Sequence, residues 1–179
     1  MKYVVLFFIC CTSLANSQEK YWTRSGTLTF EASMPAFEEV KATNENVTAI
    51  LNTTDGTFAA LALVKGFHFK NALMEEHFNE SYIESNRYPK AIFKGQLLNF
   101  DVQNLDKKHI LSGRLEMHGK STSISVETHI IKEDNTMKFN GTLDVSADDF
   151  AIEIPKIVRN KVSDTVTISF DFQLIKKGD

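Results

Sequence analysis

Apolar and polar side chains alternate along most of this chain, and that period of two restricts its fold more than any other feature. Side chains two positions apart share a face only in an extended strand. The last run is the cleanest: Val166, Ile168, Phe170, Phe172 and Leu174 alternate with Thr165, Thr167, Ser169, Asp171 and Gln173. Phe139, Leu143, Val145 and Ala147 alternate with Lys138, Asn140, Thr142, Asp144 and Ser146, and Ile124, Val126, Thr128 and Ile130 with Ser125, Glu127 and His129. Ile110 to His118 presents Leu111, Leu115 and Met117. Ala91 to Val102 reads as one strand, with Phe93 and Leu97 in one register and Ile92, Leu98, Phe100 and Val102 in the other.

Near the start, Trp22, Leu28 and Phe30 share a face opposite Thr23, Thr27, Thr29 and Glu31. Val47 to Leu51 and Phe58 to Val64 flank the turn signal Asn52 to Gly56. About eight strands with one dry face predict a mainly all-β, antiparallel fold curled around its own core. A barrel is favoured over a sandwich because closure removes exposed edges.

Two segments break the alternation. Leu73, Met74, Phe78, Tyr82 and Ile83 recur at helical spacing, which predicts a short helix over Asn71–Asn86, stopped before Pro89. Asp149 to Asp164 contains Ile152-Glu153-Ile154-Pro155 and reads as a crossover into the last strand.

The first residues read as an address. Lys2, the apolar run Tyr3 to Cys11 and the small residues of Ala15-Asn16-Ser17 predict a cleaved export signal over residues 1–17, with one domain over 18–179. Nine apolar residues fall short of the ~20 that a membrane-spanning helix needs, so no span is expected in the mature chain. The destination is periplasmic or extracellular, with lipid anchoring at Cys10 or Cys11 as the lesser alternative. Cleavage removes both cysteines, which excludes thiol catalysis and cysteine-ligated zinc. It also leaves 19 basic against 23 acidic residues, which argues against a nucleic-acid partner.

Catalytic signatures are missing: there is no GxSxG elbow, phosphate loop or GxGxxG turn, and no HExxH pair among the five histidines. The chain is read as a non-enzymatic binding protein needing no cofactor or metal. His118 and His129 fall in the polar register of their strands and are expected to be exposed, and His77 sits on an acidic helix face. The triplet Phe67-His68-Phe69 leaves open which face is inside; an inward His68 would offer a polar head group a partner.

Three phrases carry a family resemblance. They are Met74-Glu75-Glu76-His77-Phe78 with Tyr88-Pro89 and Phe93-Lys94-Gly95, then Gly113-Arg114-Leu115 to Gly119, then Asp149-Phe150-Ala151-Ile152-Glu153-Ile154-Pro155. In this order and spacing the chain resembles the YceI-like family of exported polyisoprenoid-binding proteins over roughly Trp22 to Leu174. The resemblance implies an eight-stranded antiparallel, lipocalin-like β-barrel with one short helix, holding a long-chain isoprenoid, isoprenoid quinone or other apolar lipid.

The expected lining is Phe58, Phe67, Phe69, Phe93, Leu97, Leu115, Met117, Phe139, Leu143, Phe170 and Phe172, with Leu73, Met74 and Phe78 as the lid. The stretch from Ser33 to Asp55 is more compact than in longer members. It leaves a second reading, a solid-core module that binds another envelope protein and carries no lipid.

Overall fold

The alternating runs become strands of a single sheet. The computed structural model describes residues 19–178 apart from Ala36 and Asp106, so the leader read at residues 1–17 lies outside the described residues. In chain order the elements are β1 (Lys20–Ser33), β2 (Lys41–Asn52), β3 (Thr57–Leu63), a two-residue β4 (His68–Phe69), α1 (Ala72–His77), β5 (Lys90–Leu97), β6 (His109–Met117), β7 (Lys120–Glu133), β8 (Thr136–Ser146) and β9 (Val162–Lys176). All pairings are antiparallel. Because β1 pairs with both β2 and β9, eight strands close into a barrel, and β4 is added beside the start of β2.

The inward positions of β7, β8 and β9 are those the alternation marks: Val126, Thr128, Ile130, Phe139, Val145, Phe170, Phe172 and Leu174 are all buried. β1 departs from the expected faces. Tyr21 and Thr23 are buried, and an extra residue between Thr23 and Gly26 then shifts the register, so that Gly26, Leu28, Phe30 and Ala32 take over the inward positions. Trp22 therefore faces outward, with the Arg24 guanidinium 5.0 Å from its ring centre. A bulge changes which parity is dry without changing the residue pattern on either side.

A matching irregularity in β2 lies between Asn44 and Val47 and brings Asn44 inside, 1% exposed. Its side chain is satisfied there: the amide donates to the Leu63 carbonyl (2.9 Å) and the oxygen accepts from the Asn46 backbone N–H (2.9 Å). A buried amide with both groups paired avoids the desolvation cost of an orphan.

Strand β5 ends at Leu97, shorter than the run to Val102, because Asn99 adopts a left-handed φ of 52°. The β6–β7 hairpin turns on His118 (φ 52°) and Gly119 (φ 70°), the paired positive angles of a tight two-residue turn.

The predicted helix also divides. Asn71 caps α1, its side-chain oxygen accepting from the Leu73 and Met74 backbone N–H groups. After His77 the coil widens to a π-turn over Phe78–Tyr82, closed by the Ile83 N–H on the Phe78 carbonyl (2.9 Å). Glu84, at φ 47°, ends it before Pro89 is reached.

Candidate functional site

One end of the barrel is packed solid. Tyr21, Leu51, Leu97, Met137 and Leu174 are at most 2% exposed there. The other end is hollow, with a cavity of about 380 Å³. That volume lies within the ~300–1,000 Å³ typical of small-molecule sites.

Small inward side chains make the room. Ala62 on β3 is the register partner of Ala91 on β5, and Ala60 lies beside them. Large rings are kept against the wall by glycines. Gly95 and Gly113 are partners on β5 and β6, and a Cβ on Gly113 would stand 2.7 Å from the Phe93 Cζ. Gly141 likewise sits opposite Phe170, whose Cζ would be 2.7 Å from an added Cβ. Each glycine gives a phenylalanine somewhere to lie other than the lumen.

Two aromatic clusters frame the space. Phe58 meets Phe139 at 4.7 Å and Phe172 at 6.0 Å between ring centres, and Phe170 meets Phe172 at 5.3 Å. Towards the open end, Phe30 contacts Phe67 (5.3 Å), Phe69 (5.7 Å) and Phe78 (5.2 Å). The helical segment is thereby anchored through Phe78 to β1 and β4. Such ring pairs add about 0.5–1.5 kcal/mol each beyond their buried area.

Of the expected lining, Phe58, Phe67, Phe69, Phe93, Leu115, Met117, Leu143, Phe170 and Phe172 face the cavity. Leu97 and Phe139 are not on its wall. Leu97 is the last residue of β5, in the packed end, and Phe139 lies behind Phe58 and Phe170. Alternation reports the face of a strand but not the height along the barrel.

Of the three residues expected to form a lid, Met74 and Phe78 line the cavity, whereas Leu73 is 57% exposed and turns away. Met74, Phe78 and Tyr82, four residues apart, form the inner stripe of the widened coil. Sequence reasoning overlooked Leu28 and Phe30, hidden by the β1 bulge, and the alanines, whose small size was itself the available signal.

The polar groups on the wall are Glu38, His77, Tyr82, Ser146, Lys161 and Ser163. They belong to the β1–β2 connection, the helical segment, the end of β8 and the residues around the start of β9, so the polarity is gathered at the mouth. The crossover between β8 and β9 closes the rest of this end, burying Phe150 and Ile154.

The histidines divide. His68 points outward beside Glu75, with Nδ1 3.3 Å from the carboxylate, and so offers nothing to the interior. His129 is exposed, as expected. His118 is not: its side chain is 11% exposed and is held by Glu84, Phe150 and the Tyr88 ring (4.5 Å). Turning the hairpin at His118 takes it out of strand register and swings it between Glu84 and Phe150. Among the described residues, no three His, Cys, Asp or Glu side chains converge as a metal site.

A closed antiparallel barrel with an internal apolar cavity and a polar mouth places this protein in the lipocalin-like class. The chain belongs to the YceI-like family, whose domain model matches residues 22–174. Among solved structures it is similar to a polyisoprenoid-binding domain from Saccharophagus degradans, at TM-score 0.73 and 14% identity, over 89% of this chain and 99% of that one. It is also similar to BcnA of Burkholderia cenocepacia, at TM-score 0.69 and 16% identity, over 83% and 95% of the two chains. The Campylobacter jejuni YceI protein aligns at TM-score 0.65 and 14% identity, over 82% and 90%. No curated protein matches significantly in sequence.

Proposed function

We propose that this protein is an exported, non-enzymatic carrier that holds a polyisoprenoid, isoprenoid quinone or similar long apolar chain in the hollow end of the barrel. The observation that carries the reading is the cavity of about 380 Å³, with its polar lining confined to the mouth. An apolar cavity imposes no demand for water, and each buried methylene of a ligand gains about 0.8 kcal/mol. Ten such groups supply about 8 kcal/mol before the cost of association is counted. The polyisoprenoid-binding description of the Saccharophagus degradans domain supports the ligand class. The apolar run at residues 3–11 supports export to the periplasm or beyond. A head group at the mouth would meet His77, Tyr82, Lys161 and Ser163.

The test is native mass spectrometry of residues 18–179, purified after export, followed by solvent extraction. The expected result is a bound species that extracts as an isoprenoid or quinone. Leu143→Trp, which fills the lumen, is expected to lose that species while keeping the β-sheet circular dichroism signal. A ligand-free mass that stays unchanged after incubation with isoprenoid alcohols and quinones would reject the reading and favour the solid-core module.

A further inference from the structure

Three segments frame the cavity mouth: the β1–β2 connection, α1 and the crossover into β9. Each presents one large apolar side chain to solvent, Phe37 at 46%, Leu73 at 57% and Ile157 at 85% exposure. Phe37 also touches the cavity, while Leu73 and Ile157 are chain neighbours of the lining residues Met74 and Val158. Exposed apolar groups collected around the opening of an apolar cavity differ from the single ones scattered over most surfaces.

The Pro155–Lys161 turn of the crossover adds positive charge, with Asp149, Glu153 and Asp164 on either side of it. Pro155 to Lys161 is folded on itself by the Val158 N–H on the Pro155 carbonyl (3.0 Å) and the Lys161 N–H on the Val158 carbonyl (2.8 Å). Ile157 stands at its outer face between Lys156 and Arg159, both exposed. Among the described residues, Lys156, Arg159 and Lys161 form no ion pair.

We infer that this rim docks on an anionic lipid bilayer, with the Lys156–Lys161 turn leading and Ile157 inserted at the headgroup boundary. An exposed apolar tip flanked by free cations matches a surface whose outer layer is anionic and whose interior is apolar. The opposite side of the rim carries Glu76 and Glu80, both exposed, so the mouth is charged unevenly and approaches tilted. The inference rests on the carrier reading, for which docking lets a lipid pass into the cavity without crossing water.

The experiment is flotation of lipid-free protein with phosphatidylcholine vesicles, with and without phosphatidylglycerol. Binding is expected only to the anionic vesicles and is weakened by salt. Lys156→Gln with Arg159→Gln is expected to weaken it about fivefold per cation, roughly thirtyfold together. Ile157→Ser is expected to weaken it roughly tenfold. Glu76→Gln with Glu80→Gln is expected to strengthen it, and Ile131→Ser, on the barrel wall, to leave it unchanged.

Equal binding to both vesicle types, no binding, or binding indifferent to these substitutions would overturn the proposal. So would self-association that Ile157→Ser abolishes in the absence of vesicle binding, since the rim would then fit a second copy of the chain. Cavity occupancy, read by native mass spectrometry after loading from ethanol, separates the two readings: loading without flotation removes docking alone, and flotation without loading removes the carrier alone.

Discussion

The Nδ1 of His118 lies 2.8 Å from the carbonyl oxygen of Phe150, and a carbonyl only accepts, so the imidazole donates. The other ring nitrogen, Nε2, lies 3.2 Å from the Glu84 carboxylate. Phe150 opens the crossover and Glu84 follows the widened helical coil, so one side chain on the β6–β7 turn ties together two segments at the hollow end.

His118→Asn keeps a residue that tolerates the left-handed backbone of this turn but reaches neither partner. The expected loss is about 1–2 kcal/mol by urea denaturation. Hydrogen exchange should rise over residues 78–85 and 148–152 and stay unchanged in β7 to β9. Exchange rising evenly through the barrel would show that His118 supports the sheet and not the cover.

Gly141 keeps the lumen open by giving the Phe170 ring its place. Gly141→Ala would put a Cβ 2.7 Å from that ring and 2.9 Å from the Glu127 carbonyl. Moving them costs about 1–3 kcal/mol, and the displaced ring moves into the cavity. Ligand capacity and melting temperature should both fall. Retained capacity would mean that the ring finds another way out.

Phe139 and Leu143 occupy the same face of β8 yet should behave differently. Phe139→Ala removes a side chain that is fully buried and packed against Phe58, at a cost of about 3–5 kcal/mol. Leu143→Ala enlarges an existing space and should cost less while admitting a bulkier ligand. Chemical denaturation paired with a binding series of increasing chain length checks both; equal destabilisation by the two would contradict the division into packed and hollow ends.

At the β2–β3 turn the Thr57 backbone N–H (2.9 Å) and hydroxyl (2.7 Å) both donate to one Asp55 carboxylate oxygen, holding this carboxyl below its ordinary 3.8. A carboxyl with a depressed folded pKa stabilises fully above its unfolded pKa, and that contribution is lost as pH falls through the folded value. Thr57→Ala should bring the Asp55 titration, followed by NMR, back towards 3.8 and reduce the acid sensitivity arising at this turn. Because alanine keeps the backbone N–H, an unmoved midpoint would remove only the Thr57 hydroxyl as a cause.

The strands of the C-terminal half were legible because alternation is a local property of extended backbone. Ile124 to Ile130, Phe139 to Ala147 and Val166 to Leu174 each display their buried face without reference to any other segment. The short helical segment from Asn71 and the crossover at Pro155 were legible for the same reason, as were most of the phenylalanines on the cavity wall. The family resemblance added the expectation of a long apolar ligand, which no single run contains.

Tertiary structure decided what depends on two segments meeting. The bulge after Thr23 put Trp22 outside and Phe30 inside, because β1 must stay in register with β2 and β9 together. Barrel register set Phe139 behind the cavity wall and Leu143 on it, since height along a barrel is shared among strands. The way α1 lies over the cavity chose Met74 over Leu73, and the paired positive φ angles at His118 and Gly119 carried that histidine from an expected surface position to the join between the helical segment and the crossover. The hollow itself comes from alanines and glycines whose meaning appears only beside Phe93 and Phe170, because a void is defined by what lies across from it.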